Sequence, residues 1–144
     1  MSTSVVAQLV NFLAQDPLTI EDVASYVGST RNDPGAPLAI ELIPTIAGVQ
    51  TARMWRYPDN GLTYLLELEF ADDAAPRLSE LRTLMGNYKR LRSDIGMPAR
   101  VVFHPSAAGS RWAIAVIAEL SPDTGAIGDQ TVTRLAFRRD PVSN

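Results

Sequence analysis

The stretch Val49-Gln50-Thr51-Ala52-Arg53-Met54-Trp55-Arg56-Tyr57-Pro58-Asp59-Asn60-Gly61-Leu62-Thr63-Tyr64-Leu65-Leu66-Glu67-Leu68-Glu69-Phe70 decides the fold class. Its two arms, about Val49 to Tyr57 and Leu62 to Phe70, are rich in β-branched, aromatic and aliphatic residues. Between them Asn60-Gly61 tolerates positive φ at both turn positions, which is the strongest short-range hairpin signal. Alternation along the first arm puts Thr51, Arg53, Trp55 and Tyr57 on one face and Ala52 and Met54 on the other. Glu67 and Glu69 share a face of the second arm, within reach of Arg53.

Upstream, Leu38, Ile40 and Leu42 alternate with Ala39, Glu41 and Ile43 until Pro44 stops a further strand. Before it the period becomes helical. Val6, Leu9, Val10 and Leu13 recur at i, i+3, i+4 and i+7, after the cap candidates Ser2, Thr3 and Ser4. Thr19 and Asp22 stand as a capping box, Ile20, Val23 and Val27 form a stripe, and Gly28 is placed to close that helix in a left-handed conformation. Downstream, Ala71 to Pro76 is a polar connector, and Leu78, Leu81, Met85 and Tyr88 form one helical face. Lys89-Arg90-Leu91-Arg92 reads as the solvated end of that helix, where cations complement the macrodipole. Strands are expected near Ala99 to His104, Arg111 to Leu120 and Thr131 to Arg138.

That order repeats. Placing Gly28 on Gly86 superposes Ile20 on Leu78, Asp22 on Glu80, Val23 on Leu81 and Val27 on Met85. With three more residues in the second loop, Gly35-Ala36-Pro37 falls on Gly96-Met97-Pro98, Pro44 on Pro105 and Ala47-Gly48 on Ala108-Gly109. Pro58-Asp59-Asn60-Gly61 then meets Pro122-Asp123-Thr124-Gly125. The matches are caps, strand stops and turns, where backbone geometry restricts residue choice most. The expectation is one α+β domain over residues 1–144. It is built from two tandem helix-plus-three-stranded antiparallel units, about 1–70 (with the helical hairpin) and 77–138, with helices over one sheet face.

In element order and in its helix-Gly-loop pattern, the chain resembles the tandem α+β units of the β-lactamase-inhibitor-protein-like and SmpA/OmlA-type lipoprotein group. The resemblance implies a protein-binding scaffold and carries over no catalytic residue. The chain departs from that group in having no lipobox cysteine, and in three expected strands per unit where the group tends to have four.

Composition narrows the function. The 144 residues hold 46% hydrophobic and 20% charged residues, as a globular domain does. A net charge of −3 and a pI near 5.1 disfavour general nucleic-acid binding, which draws its affinity from Lys and Arg on phosphates. Leu18 to Arg31 looks like the start of a helix-turn-helix, but Asn32-Asp33-Pro34-Gly35-Ala36-Pro37 puts two prolines where a recognition helix would run. No apolar run is long enough for a membrane span. The first residues lack a basic n-region, so a cytoplasmic location is expected unless processing has removed a signal before this start. There is no cysteine and one histidine, which leaves no thiolate or histidine-rich metal site, and no cofactor is expected. No Gly-rich loop carries the Lys-Ser/Thr of a phosphate site.

Two function readings follow. The leading one is a non-enzymatic interaction or scaffold module, with a protein partner or a second copy and neither nucleic acid nor membrane. Its partner-binding candidates are Arg53, Trp55, Tyr57, Glu67 and Glu69, residue types enriched at binding hot spots or paired with them; otherwise the helices cover these aromatics as core. The alternative is a small-molecule-binding or hydrolytic domain with a pocket between the units, built on His104, Ser106 and Arg111. Trp112-Ala113-Ile114-Ala115-Val116-Ile117-Ala118 is apolar on both faces, so either the units cover each other or a dimer forms.

Overall fold

The structure, a computed structural model, describes residues 3–15, 18–30, 39–57, 63–92, 95–105, 111–121 and 130–142. The order is α1 (Thr3–Leu13), α2 (Ile20–Tyr26), β1 (Ala39–Leu42), β2 (Val49–Arg56), β3 (Thr63–Phe70), α3 (Leu78–Met85), β4 (Tyr88–Arg90), β5 (Arg100–Phe103), β6 (Trp112–Leu120) and β7 (Val132–Pro141). The protein is thus a mixed α+β fold. Its strands join in a single antiparallel sheet of seven, ordered β1-β2-β3-β7-β6-β5-β4. The turn residues Pro58 to Gly61, the loop Asn32 to Pro37 and the segment Pro122 to Gly125 lie outside the described residues.

The helical periodicity sets the covered face. Val6, Leu9 and Leu13 of α1 are fully buried, as are Val23 of α2 and Leu78 and Leu81 of α3. They pack on the inward residues of every long strand, among them Ile40, Met54, Leu66, Leu68, Phe103, Val116, Leu135 and Phe137. The capping box of α2 forms as the spacing predicts: the Asp22 N–H donates to Thr19 Oγ1 at 3.2 Å, and the Thr19 N–H donates to Asp22 Oδ2 at 3.0 Å. The Thr19 N–H and then the Thr19 hydroxyl, which also donates to Asp22 Oδ2 at 3.0 Å, hold the Asp22 carboxyl below its ordinary range. Phe12 of α1 stacks on Tyr26 of α2 with centroids 4.3 Å apart, which closes the helical hairpin.

Three local expectations are corrected. Gly28 does not close α2 as a left-handed cap; Val27 is the C-cap, and Gly28 follows it at φ +157°, a positive value that side chains rarely adopt. Its lack of a side chain serves close approach instead, since a Cβ there would stand 1.8 Å from the Ile43 carbonyl oxygen and 2.6 Å from its carbon. The third helix stops at Met85, because Gly86 turns the chain at φ 88°, ψ −160°. Lys89 and Arg90 therefore belong to an edge strand and not to a helix end, and Tyr88 faces Phe103 across the β4–β5 ladder.

The third correction is the end of the last strand: β7 runs past Arg138 to Pro141 and so includes Arg139. β7 alternates inward through Leu135 and Phe137 to Arg139, which is 0% exposed. Its Nε donates to the Leu13 carbonyl, Nη2 to the Gln15 carbonyl and Nη1 to the Thr63 carbonyl, each at 2.7 Å. The guanidinium carbon also lies 4.1 Å from the Trp112 ring centroid. A helix leaves its last carbonyls without internal partners, and a cation there complements the dipole. Arg139 meets both needs for α1.

Two predictions follow for stability. Arg139→Met is expected to cost about 3 to 5 kcal/mol, since three charge-assisted bonds are lost and the Leu13 and Thr63 carbonyls stay buried. Hydrogen exchange should show α1 opening first, and Arg139→Lys should not restore protection, because one ammonium cannot reach three diverging carbonyls. Gly28→Ala should cost about 3 kcal/mol in urea unfolding, because the clash is with backbone that cannot rotate away.

Candidate functional site on the uncovered sheet face

With α1, α2 and α3 on one side, the other side of the sheet carries the remaining half of each strand's residues. The partner-surface candidates lie here and not under the helices: Ala52 and Met54 point into the core, while Thr51 is exposed and Arg53 and Trp55 are half-exposed. Pairing registers order this face into rows that cross the strands. The central row runs Glu41, Arg53, Glu67, Ala136, Ile117, Val102 and Lys89. On one side of it lie Ala39, Trp55, Leu65, Arg138 and Ala115; on the other lie Thr51, Glu69, Arg134, Glu119 and Arg100.

The charges are paired within the face. Arg53 Nη2 meets Glu67 Oε1 at 2.8 Å and Arg134 Nη2 meets Glu69 Oε2 at 2.8 Å, with Arg134 Nε 3.8 Å from Glu67. Glu67 thus lies beside Arg53 as the spacing predicts, whereas Glu69 is taken by an arginine from the other end of the sequence. The Glu69 bond holds the Arg134 proton more tightly than water does, against the opposing effect of burial. The Arg53 guanidinium also lies 5.6 Å from the Trp55 ring centroid, which props the indole between an ion pair and its row neighbour Leu65. Two shallow grooves open on this face. One, of about 320 Å³, lies between Glu41, Thr51, Arg53, Glu69 and Arg134; the other, of about 270 Å³, is floored by Leu65, Ile117 and Ala136 and rimmed by Glu67, Arg100, Glu119, Arg134 and Arg138.

Tyr57 leaves this surface. The ladder slips between Trp55 and Arg56, and beyond the slip Tyr57 packs on Tyr64 and Trp112 at centroid distances of 4.9 and 6.0 Å. Its hydroxyl donates to the Arg139 carbonyl. Burial, then the Asp140 charge, pushes the phenol above its ordinary range. Tyr57 therefore buttresses the Arg139 joint.

The pocket candidates lie around the link between β5 and β6. His104 is exposed at the end of β5, Arg111 is exposed just before β6, and Ser106 lies outside the described residues. Among the described residues no carboxylate or hydroxyl bonds His104, and no group of three or more His, Asp or Glu stands where it could hold a metal ion. No helix among them is long and apolar enough to cross a membrane. Sequence reading missed Arg134, Glu119 and Ile117 as members of the face. Alternation on their strands places them outward, but which strand adjoins β3 is not a local property. The chain matches no protein-family model, no curated protein and no solved structure.

The Arg53 and Glu67 side chains are 43% and 19% exposed, so their pairing is expected to be weak. A double-mutant cycle with Arg53→Ala and Glu67→Ala should return a coupling of about 0.5 kcal/mol that shrinks in high salt. A coupling several times larger would mean that the pair is shielded from water.

Proposed function

We propose that this chain is a non-enzymatic protein-interaction or scaffold module that engages its partner through the uncovered sheet face. The observation that carries this reading is the central row. Its first part, Glu41, Arg53 and Glu67, is charged, its middle, Ala136, Ile117 and Val102, is apolar, and Lys89 closes it on the β4 edge. A partner would bury Trp55, Leu65 and Ile117, residues only half-covered in the free chain, while the arginine and glutamate pairs around them set the register.

We also read the sheet as a duplicated unit, and the pairings support it. Ala39 faces Trp55 as Arg100 faces Glu119, Leu42 faces Ala52 as Phe103 faces Val116, and Met54 faces Leu66 as Ala118 faces Leu135. The ladder slips after Trp55 and again after its counterpart Glu119. Where the halves join, Leu66 faces Phe137 as Leu135 faces Leu68, which makes Glu67 opposite Ala136 the centre of a two-fold relation. The Thr63 N–H donates to the Leu18 carbonyl as the Val132 N–H donates to the Pro76 carbonyl. Even β4 has a counterpart, since the lone Thr30 to Leu42 bridge stands where Tyr88 faces Phe103. A fourth strand, of which the described residues of the first unit hold one bridge, would agree with the resemblance to the β-lactamase-inhibitor-protein-like group.

On this reading the two-fold governs the covered face, where apolar residues answer apolar ones, and is broken on the open face. There Trp55 is answered by Glu119, Arg53 by Ile117 and Glu67 by Ala136. Such divergence suits one asymmetric partner better than a second copy docked about the same axis.

The test is capture of partners from the native lysate by the wild-type chain and by a Trp55→Ala, Ile117→Ser variant of unchanged thermal midpoint. A protein retained by the first and at least tenfold depleted from the second supports the proposal. Equal retention by both, or a face that serves only to dimerise the chain in light scattering, would refute it.

A further inference from the structure

The end of the sheet away from β1 carries a second feature, which shares Lys89 and Arg100 with the rows of the uncovered face. Lys89, Arg90, Arg92 and Arg100 are all exposed around the β4–β5 connection, where the Leu91 N–H donates to the Arg100 carbonyl at 2.9 Å. Among the described residues none of these four cations has a carboxylate partner, in contrast to Arg53, Arg134 and Arg138 on the uncovered face. Between them the chain turns at Gly96, φ +86°, and presents Ile95 at 105% and Met97 at 62% exposure. From Lys89 to Arg100 the sequence holds these four cations and one acid, a net +3 in a chain of net −3, which leaves −6 for the remainder.

Lysine and arginine on an edge strand guard it against unwanted pairing, which accounts for Lys89 and Arg90. Edge protection does not account for a bare isoleucine and methionine at the adjoining turn. Nucleic-acid phosphates would reward the cations but not these side chains. One surface rewards both: an anionic bilayer, whose acyl boundary takes apolar side chains while its headgroups attract the cations beside them. We propose that the β4–β5 turn is a peripheral docking site for anionic lipid membranes. Ile95 and Met97 enter the interface, Lys89, Arg90, Arg92 and Arg100 lie at headgroup level, and the acidic remainder of the chain is held away from the surface.

The experiment is sedimentation of the full chain with vesicles of mixed phosphatidylserine and phosphatidylcholine, and with vesicles of phosphatidylcholine alone. Binding is expected to the first, weakening with salt, and not to the second. Replacing Lys89, Arg90 and Arg92 by Gln should lower the partition coefficient roughly a hundredfold, at about 1 kcal/mol for each basic residue. Ile95→Ser with Met97→Ser should lower it roughly tenfold or more. All five side chains are exposed, so unchanged circular dichroism is expected in both variants. Absence of binding, equal binding to the two vesicles, or wild-type binding by the serine variant would overturn the proposal. So would retention of single-stranded DNA, lost in the glutamine variant, by a chain that ignores vesicles.

Discussion

The guanidinium of Arg139 holds three separate parts of the molecule in one place. It bonds the carbonyls at the end of α1, the first residue of β3 and, through its face, the indole of Trp112 at the start of β6. The bonds to Leu13 and Thr63 are buried, where water cannot replace the guanidinium, while the bond to Gln15 lies nearer the surface. Trp112 and Tyr57 wall the cation in, and Tyr57 contributes its hydroxyl to the arginine's own carbonyl. Among the described residues Arg139 and Thr63 are the buried polar side chains, and they stand together where the end of α1 is received.

Much of this fold can be read from local pattern. The α1 stripe, the Thr19 and Asp22 box and the alternation of β2, β3, β6 and β7 all arise from periodicity or from hydrogen bonds between near neighbours, and they appear where the residues place them. What periodicity cannot supply is adjacency. Nothing local in Glu69 or Arg134 tells that β3 lies against β7, so the ion pair that joins the two ends of the chain was not visible. The same holds for the ladder slip after Trp55, which withdraws Tyr57 from its expected row. β4 was hidden by Gly86, since Tyr88 continues the α3 stripe in sequence while the glycine has already turned the backbone away. Arg139 did leave a signal: an arginine two residues beyond Phe137, on the inward parity of its strand, is a cation in a core position and asks for buried acceptors.

The candidate surface was legible in its residue types and less so in its extent. Trp55 and Arg53 stood out as hot-spot residue types on one strand, and the stretch holding Ile117 as apolar on both faces, but nothing in sequence set Ile117 and Ala136 beside them. Their importance is positional. They lie where the central row leaves its charged part, and only the register across β3, β7 and β6 makes them neighbours of Glu67.

The strand order also sets a schedule for synthesis. β7 is the last strand of the described chain, yet it sits in the middle of the sheet, between β3 and β6. As the chain emerges from the ribosome, β1, β2 and β3 can pair with one another while the outer edge of β3 keeps a row of unused backbone donors and acceptors. That edge waits through α3, β4, β5 and β6 for its partner. α1, the first element made, waits equally long for Arg139. Completion therefore depends on contacts between opposite ends of the sequence, which folds slowly and leaves a sticky intermediate exposed for the duration of translation.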